Sequence, residues 1–144
     1  MGRAFEGCTV SQKAYPCCNR ARTDIEAALA LMREHDIKPD YVMEVTVSVG
    51  AQDLHMYEER KRIPQDAIAS QFSGYWHVAS ALVHRRVNID NFTEEAIRDE
   101  KTLEMTGKIS PKLNLEFNMT GYDGPDIVEI KTRDSQAYTP REPK

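Results

Sequence analysis

Residues 13–24, KAYPCCNRARTD, gather a lysine, a tyrosine, two adjacent cysteines and two arginines just ahead of a predicted helix start. Four chemistries suit such a set: a metal site, a redox pair, a thiolate nucleophile, or a cradle for an acidic ligand. Cys17 and Cys18 are adjacent, and a bond between neighbours in sequence strains the intervening peptide. A zinc site takes four ligands at recognisable spacing, and no second cysteine pair or nearby histidine pair supplies them. The plain reading is one packed cysteine beside one partly exposed one, because free cysteines behave as small hydrophobes. The helix start and nearby cations would favour a thiolate, so a nucleophile stays open beside it.

The basic residues carry a different chemistry. Lys13, Arg20 and Arg22 converge on the start of that helix, where unpaired backbone N–H groups and the positive dipole end attract carboxylates and phosphates. The arginine fork matches a carboxylate in plane and spacing. An anion-binding corner and a solvated charged loop are the two readings of this stretch.

The four histidines, His35, His55, His77 and His84, are scattered and form no HExxH or i, i+4 pair, so no metal is expected. His77 and His84 are seven apart on one predicted helix and share a face. His77 adjoins Tyr75 and Trp76, the densest aromatic spot in the chain. It reads either as a satisfied core histidine or as a proton carrier on a pocket wall. There is no phosphate-binding loop, dinucleotide fingerprint or GxSxG elbow.

The elements that must position these groups follow from periodicity. Thr23 and Glu26 fit a capping box, and Ile25, Ala28, Leu29 and Met32 repeat as the stripe of an amphipathic helix to about Glu34. YVMEVTVSVG alternates, placing Tyr41, Met43, Val45, Val47 and Val49 on one face of a strand. AQDLHMYEERKR reads as a loop or a weak short helix. Pro64 suits a first helical position, and Ile68, Phe72, Trp76, Ala79 and Val83 extend one helix through Arg86. Gly74 within it marks a kink or a close approach. Thr93 caps a helix over EEAIRDE, and a short helix from Lys101 to Thr106 ends at Gly107. KLNLEFNM and IVEIKTRD alternate as strands around a GYDGPD turn, Val128, Ile130 and Thr132 facing inward, and SQAYTP returns as an edge strand. The predicted fold is α+β: two layers, a mostly antiparallel sheet with helices packed on one face.

Composition excludes several classes. The 144 residues suit a single domain, and 40% hydrophobic with 29% charged residues is ordinary for a soluble globular chain. A net charge of −4 leaves no electrostatic footprint for nucleic acid. No apolar run approaches a membrane span, and MGRAFEGCTV fits neither a signal peptide nor, with Glu6, a myristoylation signal. With three cysteines and no disulfide framework, the expected setting is a reduced, cytoplasmic one.

The motifs together resemble a known family. KAYPCCNRARTDIEAALALM is similar to the K-x-Y-P-C-C segment and following helix of the MmgE/PrpD family, and VMEVTVSVG follows in place. The long block from DAIASQFSGYW through FTEEAIRDE to GKI, and the closing LNLEF and DIVEIKTRD, keep the family's order. That family includes 2-methylcitrate dehydratase, cis-aconitate decarboxylase and iminodisuccinate epimerase. The resemblance implies a large helical domain and a smaller α+β domain with the active site between them, and residues 1–144 resemble only the smaller one. The helical domain, which carries most of the family's catalytic residues, is expected to be absent from this chain, so no catalytic residue is assigned. What carries over is a substrate-facing wall for a small di- or tricarboxylate: Lys13, Tyr15, Cys18 and Arg20, with Tyr75 and His77 from the aromatic spot. Relatives often read F-S-x-x-Y where this chain has Phe72-Ser73-Gly74-Tyr75-Trp76, a tyrosine displaced by one residue, about 100° around a helix.

Two functions follow as expectations. The first is the substrate wall of a lyase or isomerase, inactive alone and without a cofactor. The second is a non-catalytic interaction module that self-associates or docks on a separately encoded helical partner, with Tyr75 and Trp76 at the contact.

Overall fold

A computed structural model describes residues 22–115, 127–134 and 136–139 of the chain. Helix α1 (Arg22–Glu34) is followed by strand β1 (Val42–Val49), two short 3₁₀ turns at Leu54–Tyr57 and Glu59–Lys61, and the short helix α2 (Ala67–Ser70). Helix α3 (Gly74–His84), two more 3₁₀ turns (Ile89–Phe92 and Ala96–Arg98) and helix α4 (Glu100–Thr106) come next. Strands β2 (Ile109–Leu113), β3 (Ile127–Thr132) and β4 (Ala137–Tyr138) complete the order. The α+β class stands, with the helices packed against a four-stranded sheet ordered β2-β1-β3-β4. The sheet is mixed. β1 runs antiparallel to β3 but parallel to β2, pairing Val45 with Ile109 and Val49 with Leu113. A parallel neighbour needs a long crossover, and the segment carrying α2, α3 and α4 provides it.

Helix α1 buries Ile25, Ala28, Leu29 and Met32, the expected stripe, together with Leu31 and Asp24. Its start differs from the predicted capping box. Arg22 is already helical, and its Nε donates to Glu26 Oε1 at 3.0 Å, so Glu26 pairs one turn back in place of capping Thr23.

In β1 the alternation is reset once. The register with β3 shifts between Val42 and Glu44, so Val42 pairs with Thr132 and Glu44 with Lys131. Met43 is the extra residue of a bulge. Val42, Val45, Val47 and Val49 are therefore the buried set, while Tyr41 and Met43, expected inside, are exposed. From β3, Val128, Ile130 and Thr132 face the same core, as the sequence predicts. On the outer face Lys131 lies 3.8 Å from Glu44 and 4.0 Å from Glu129.

The single long helix expected from Pro64 is two helices. Asp66 caps α2 by accepting from Ala69 N at 2.7 Å, and Ser73 caps α3 by accepting from Trp76 N at 3.1 Å. The Ser73 hydroxyl also donates to Lys61 O at 2.6 Å. Two side chains that capture backbone N–H groups thus start two separate helices. Ile68 and Phe72, read as core, are exposed. Every residue of α3 from Gly74 to Leu82 is buried, as befits a helix that is apolar on most of its circumference and packs between α1 and α4.

The strand predicted over residues 112–119 begins earlier, at Ile109, and Leu113 and Leu115 are exposed. Residues 116–126, with the predicted GYDGPD turn, lie outside the described residues. Thr93 does accept from Ala96 N at 3.0 Å, but the segment it caps is a 3₁₀ turn and not an α-helix. The short helix ending at Gly107 and the edge strand near Tyr138 stand as read.

Two side chains tie the layers together. Tyr57 lies with its ring against the backbone of Gly74, where a Cβ would sit 2.5 Å from the ring. Its hydroxyl donates to Asp24 Oδ2 of α1, and its carbonyl accepts from the Tyr75 hydroxyl at 2.8 Å. Arg62 reaches the C-terminal end of α4, where carbonyls lack helical partners, donating to Thr106 O and, at 2.9 Å, to Ile109 O. Its guanidinium also stacks 4.1 Å from the Tyr75 ring centre.

The close approach at Gly74 yields a prediction. Gly74→Ala must displace the Tyr57 ring and should lower stability by about 1–3 kcal/mol in urea unfolding. The same substitution in a Tyr57→Ala background should cost markedly less, since the obstructing ring is gone. Equal costs in both backgrounds would contradict the contact.

Candidate functional site

Of the residues singled out for chemistry, Lys13, Tyr15, Cys17, Cys18 and Arg20 lie outside the described residues. Tyr75 and His77 are described, and both are interior. Tyr75 is 1% exposed, held between the Tyr57 carbonyl and the Arg62 guanidinium. Burial pushes its phenol above the usual range, the Arg62 charge opposing this in part, so it remains a protonated donor.

His77 is fully buried, edge-on to Phe92 at 5.8 Å between ring centres. Its Nε2 sits 2.9 Å from Gln71 O, the carbonyl just after α2, and is the donor of that bond. Its Nδ1 has no hydrogen-bond partner among the described residues. Burial pushes the imidazole down to about 4, and the carbonyls of Gln71 and Ser70 oppose the shift only in part. The packed-core reading of His77 is the one its surroundings support: a neutral ring that joins α3 to the α2 turn.

The adjacent aromatic, Trp76, goes the other way. Its indole N–H donates to Asn91 O at 2.8 Å, and the ring forms part of the wall of a cleft of about 500 Å³ between α3 and the segment that follows it. Ser80 and His84 continue that wall along α3, and Arg86, Asp90, Thr93, Glu95, Arg98 and Asp99 form the rest. His84 and Asp99 make the best-connected corner. His84 Nε2 is 3.2 Å from Thr102 Oγ1 and 3.6 Å from Asp99 Oδ2, while Asp99 caps α4 by accepting from Thr102 N at 3.2 Å. The sequence pairing of His77 with His84 on one face is thus divided by depth: His77 is interior, and His84, in the last turn of α3, is exposed at the cleft. The displaced tyrosine of the FSGYW motif has the same outcome. Tyr75 turns to the Tyr57 side and Trp76 takes the cleft.

The cleft residues were not legible as a set. Ser80, His84, Arg86 and Asp99 sit in three different elements or connections, and only the α3 spacing of Ser80 and His84 hinted at a shared face. Among the described residues no cluster of three or more His, Cys, Asp or Glu side chains is arranged to hold a metal ion. No described helix is long and apolar enough to cross a membrane.

Fold and cleft together define an α+β domain with a mixed sheet, a central helix buried from Gly74 to Leu82 and a polar cleft beside that helix. The family model for the MmgE/PrpD C-terminal domain matches residues 15–142. The chain belongs to that family. The match opens at Tyr15, inside the K-x-Y-P-C-C segment and two residues after Lys13. No curated protein matches the chain.

The buried imidazole sets a pH dependence. His77 stays neutral in the folded chain down to about pH 4, whereas an unfolded histidine takes up its proton near 6.5. Between those values the unfolded state binds the extra proton, so stability is full above about 6.5 and falls as pH drops toward 4. The expected slope contribution reaches about 1.4 kcal/mol per pH unit. Urea unfolding between these pH values should show it, and His77→Gln should flatten it.

Proposed function

We propose that this domain is the substrate-facing wall of a lyase or isomerase that acts on a small di- or tricarboxylic acid. A helical domain, on this polypeptide or a separate one, would complete the cleft and bring most of the catalytic groups. Membership of the MmgE/PrpD C-terminal family is the observation that carries this reading. The residues assigned to the wall are Lys13, Tyr15, Cys18 and Arg20, which lie directly before α1. Asp24, buried near the start of that helix, is bound by Tyr57 from across the core, so the helix that follows the motif is held in place. An ammonium at Lys13 would stabilise negative charge developing beside a substrate carboxylate, an effect that is largest when the group is preorganised in a water-poor cleft. One wall alone gives neither exclusion of water nor the proton-transfer groups, so the chain by itself should turn over no substrate.

We leave Tyr75 and His77 out of this wall, because both side chains are buried within the domain. The second reading, an interaction module, also changes its residues. Trp76, like Tyr75, is 1% exposed and offers no contact surface. Large apolar side chains that do reach solvent include Ile63, Ile68, Phe72 and Ile89, in and around α2 and the 3₁₀ turn packed against it. Such a surface would suit self-association or a helical partner.

Amide NMR of the purified chain, titrated with 2-methylcitrate, cis-aconitate and succinate, tests the first reading. Saturable shifts should fall within residues 13–24 and be lost in Lys13→Ala. Turnover of any of these acids by the isolated chain, abolished by Lys13→Ala, would refute the one-wall proposal. Sedimentation of the chain with Phe72→Ser and Ile68→Ser addresses the second: self-association that these exposed substitutions abolish would favour the module.

A further inference from the structure

The cleft beside α3 has a charge arrangement that the carboxylate-wall proposal does not use. Arg86 and Arg98 line it together with Asp90 and Glu95, two fixed cations and two carboxylates. Among the described residues none of these four side chains makes a hydrogen bond or an ion pair, with one another or with any other group. Opposite charges around one small cleft usually find each other. Here they stay apart, while the other two titratable side chains of the cleft, His84 and Asp99, are already placed beside each other and Thr102.

A second observation comes from below. Ser80 lies in the cleft wall, is fully buried, and its hydroxyl has no hydrogen-bond partner among the described residues. A buried hydroxyl without a partner is costly, and a polar group entering the cleft would relieve that cost. Helical serines can satisfy themselves on the carbonyl one turn back, yet this one does not.

We infer that the cleft is a site for a small zwitterion, a free α-amino acid. Its carboxylate pairs with the Arg86 and Arg98 guanidiniums, whose planar forks match a carboxylate, and its ammonium with Asp90 and Glu95. Ser80 supplies a hydrogen bond at the floor. A simple dianion would meet the two carboxylates and a simple amine the two arginines, so the cleft disfavours each. A volume of about 500 Å³ accommodates a free amino acid. The inference does not depend on the function proposed for residues 13–24.

Trp76 is the chain's single tryptophan, so its fluorescence reports on this cleft. The purified chain is titrated with each standard L-amino acid up to millimolar concentration, then with the N-acetyl and amide forms of the best binder and with succinate. A saturable change with a free amino acid, weakened at least about tenfold when either end is blocked, is the expected result. Arg86→Ala should erase the difference between the free acid and the amide, and Asp90→Asn should weaken binding of the free form. Both positions are exposed, so circular dichroism should show the fold unchanged. Ser80→Ala should lower affinity without unfolding the chain. The proposal is overturned if no free amino acid gives a saturable change, if blocked forms or succinate bind as well, or if Lys13→Ala abolishes the response while Arg86→Ala leaves it intact.

Discussion

The contact between the Tyr57 ring and the backbone of Gly74 is the constraint on which the rest of this domain depends. It brings the connection after β1 down onto the first turn of α3, closer than any side chain at position 74 would allow. From that position one residue addresses two helices: its hydroxyl binds Asp24 in α1, while its ring meets the edge of Tyr75 in α3 and its carbonyl receives the Tyr75 hydroxyl. The ring that meets Gly74 also carries the hydroxyl that binds Asp24, so the packing and the hydrogen bonds specify each other. Arg62, a few residues on, continues the tie to α4 and β2.

With α3 fixed at its start, the core arranges around it. Ser73 sets where the helix begins, and Arg85, in the left-handed region at φ 55°, sets where it ends. The Arg85 guanidinium donates to Ile37 O and pairs with Asp36, itself at φ 45°, so the ends of α1 and α3 are joined by the residues that carry the backbone strain. The crossover through these helices delivers β2 parallel to β1, which is why the sheet is mixed. Chain order and helix packing decide this more than strand propensity does.

Two separate stretches of the chain carry the proposals for this domain. The segment before α1 carries the family's motif, and the cleft beside α3 carries charges that the fold leaves unpaired. At the cleft, α3 is the scaffold and the connection from it to α4 brings Arg86, Asp90, Glu95 and Arg98, the usual division between scaffold and site. The interior histidine, kept neutral by burial, couples the stability of α2 and α3 to pH.

Much of this was legible in the sequence. The stripe of Ile25, Ala28, Leu29 and Met32, the inward Val128, Ile130 and Thr132, and the stop at Gly107 are set by period and local propensity, which act within a few residues. The family motif was legible for the same reason: its residues are neighbours in the chain, and the match over residues 15–142 agrees with it. Other features depend on partners far away in sequence. The bulge at Met43 exists because β3 imposes its register, and the break before α3 exists because Ser73 finds Lys61 and Gly74 finds Tyr57. Only the tertiary structure decided that Tyr75 and His77 are core, that Trp76 faces the cleft, and that Ser80, Arg86 and Arg98 share it. A helical period tells which residues share a face. It does not tell what that face meets, because the energy of burial comes from the surfaces brought against it.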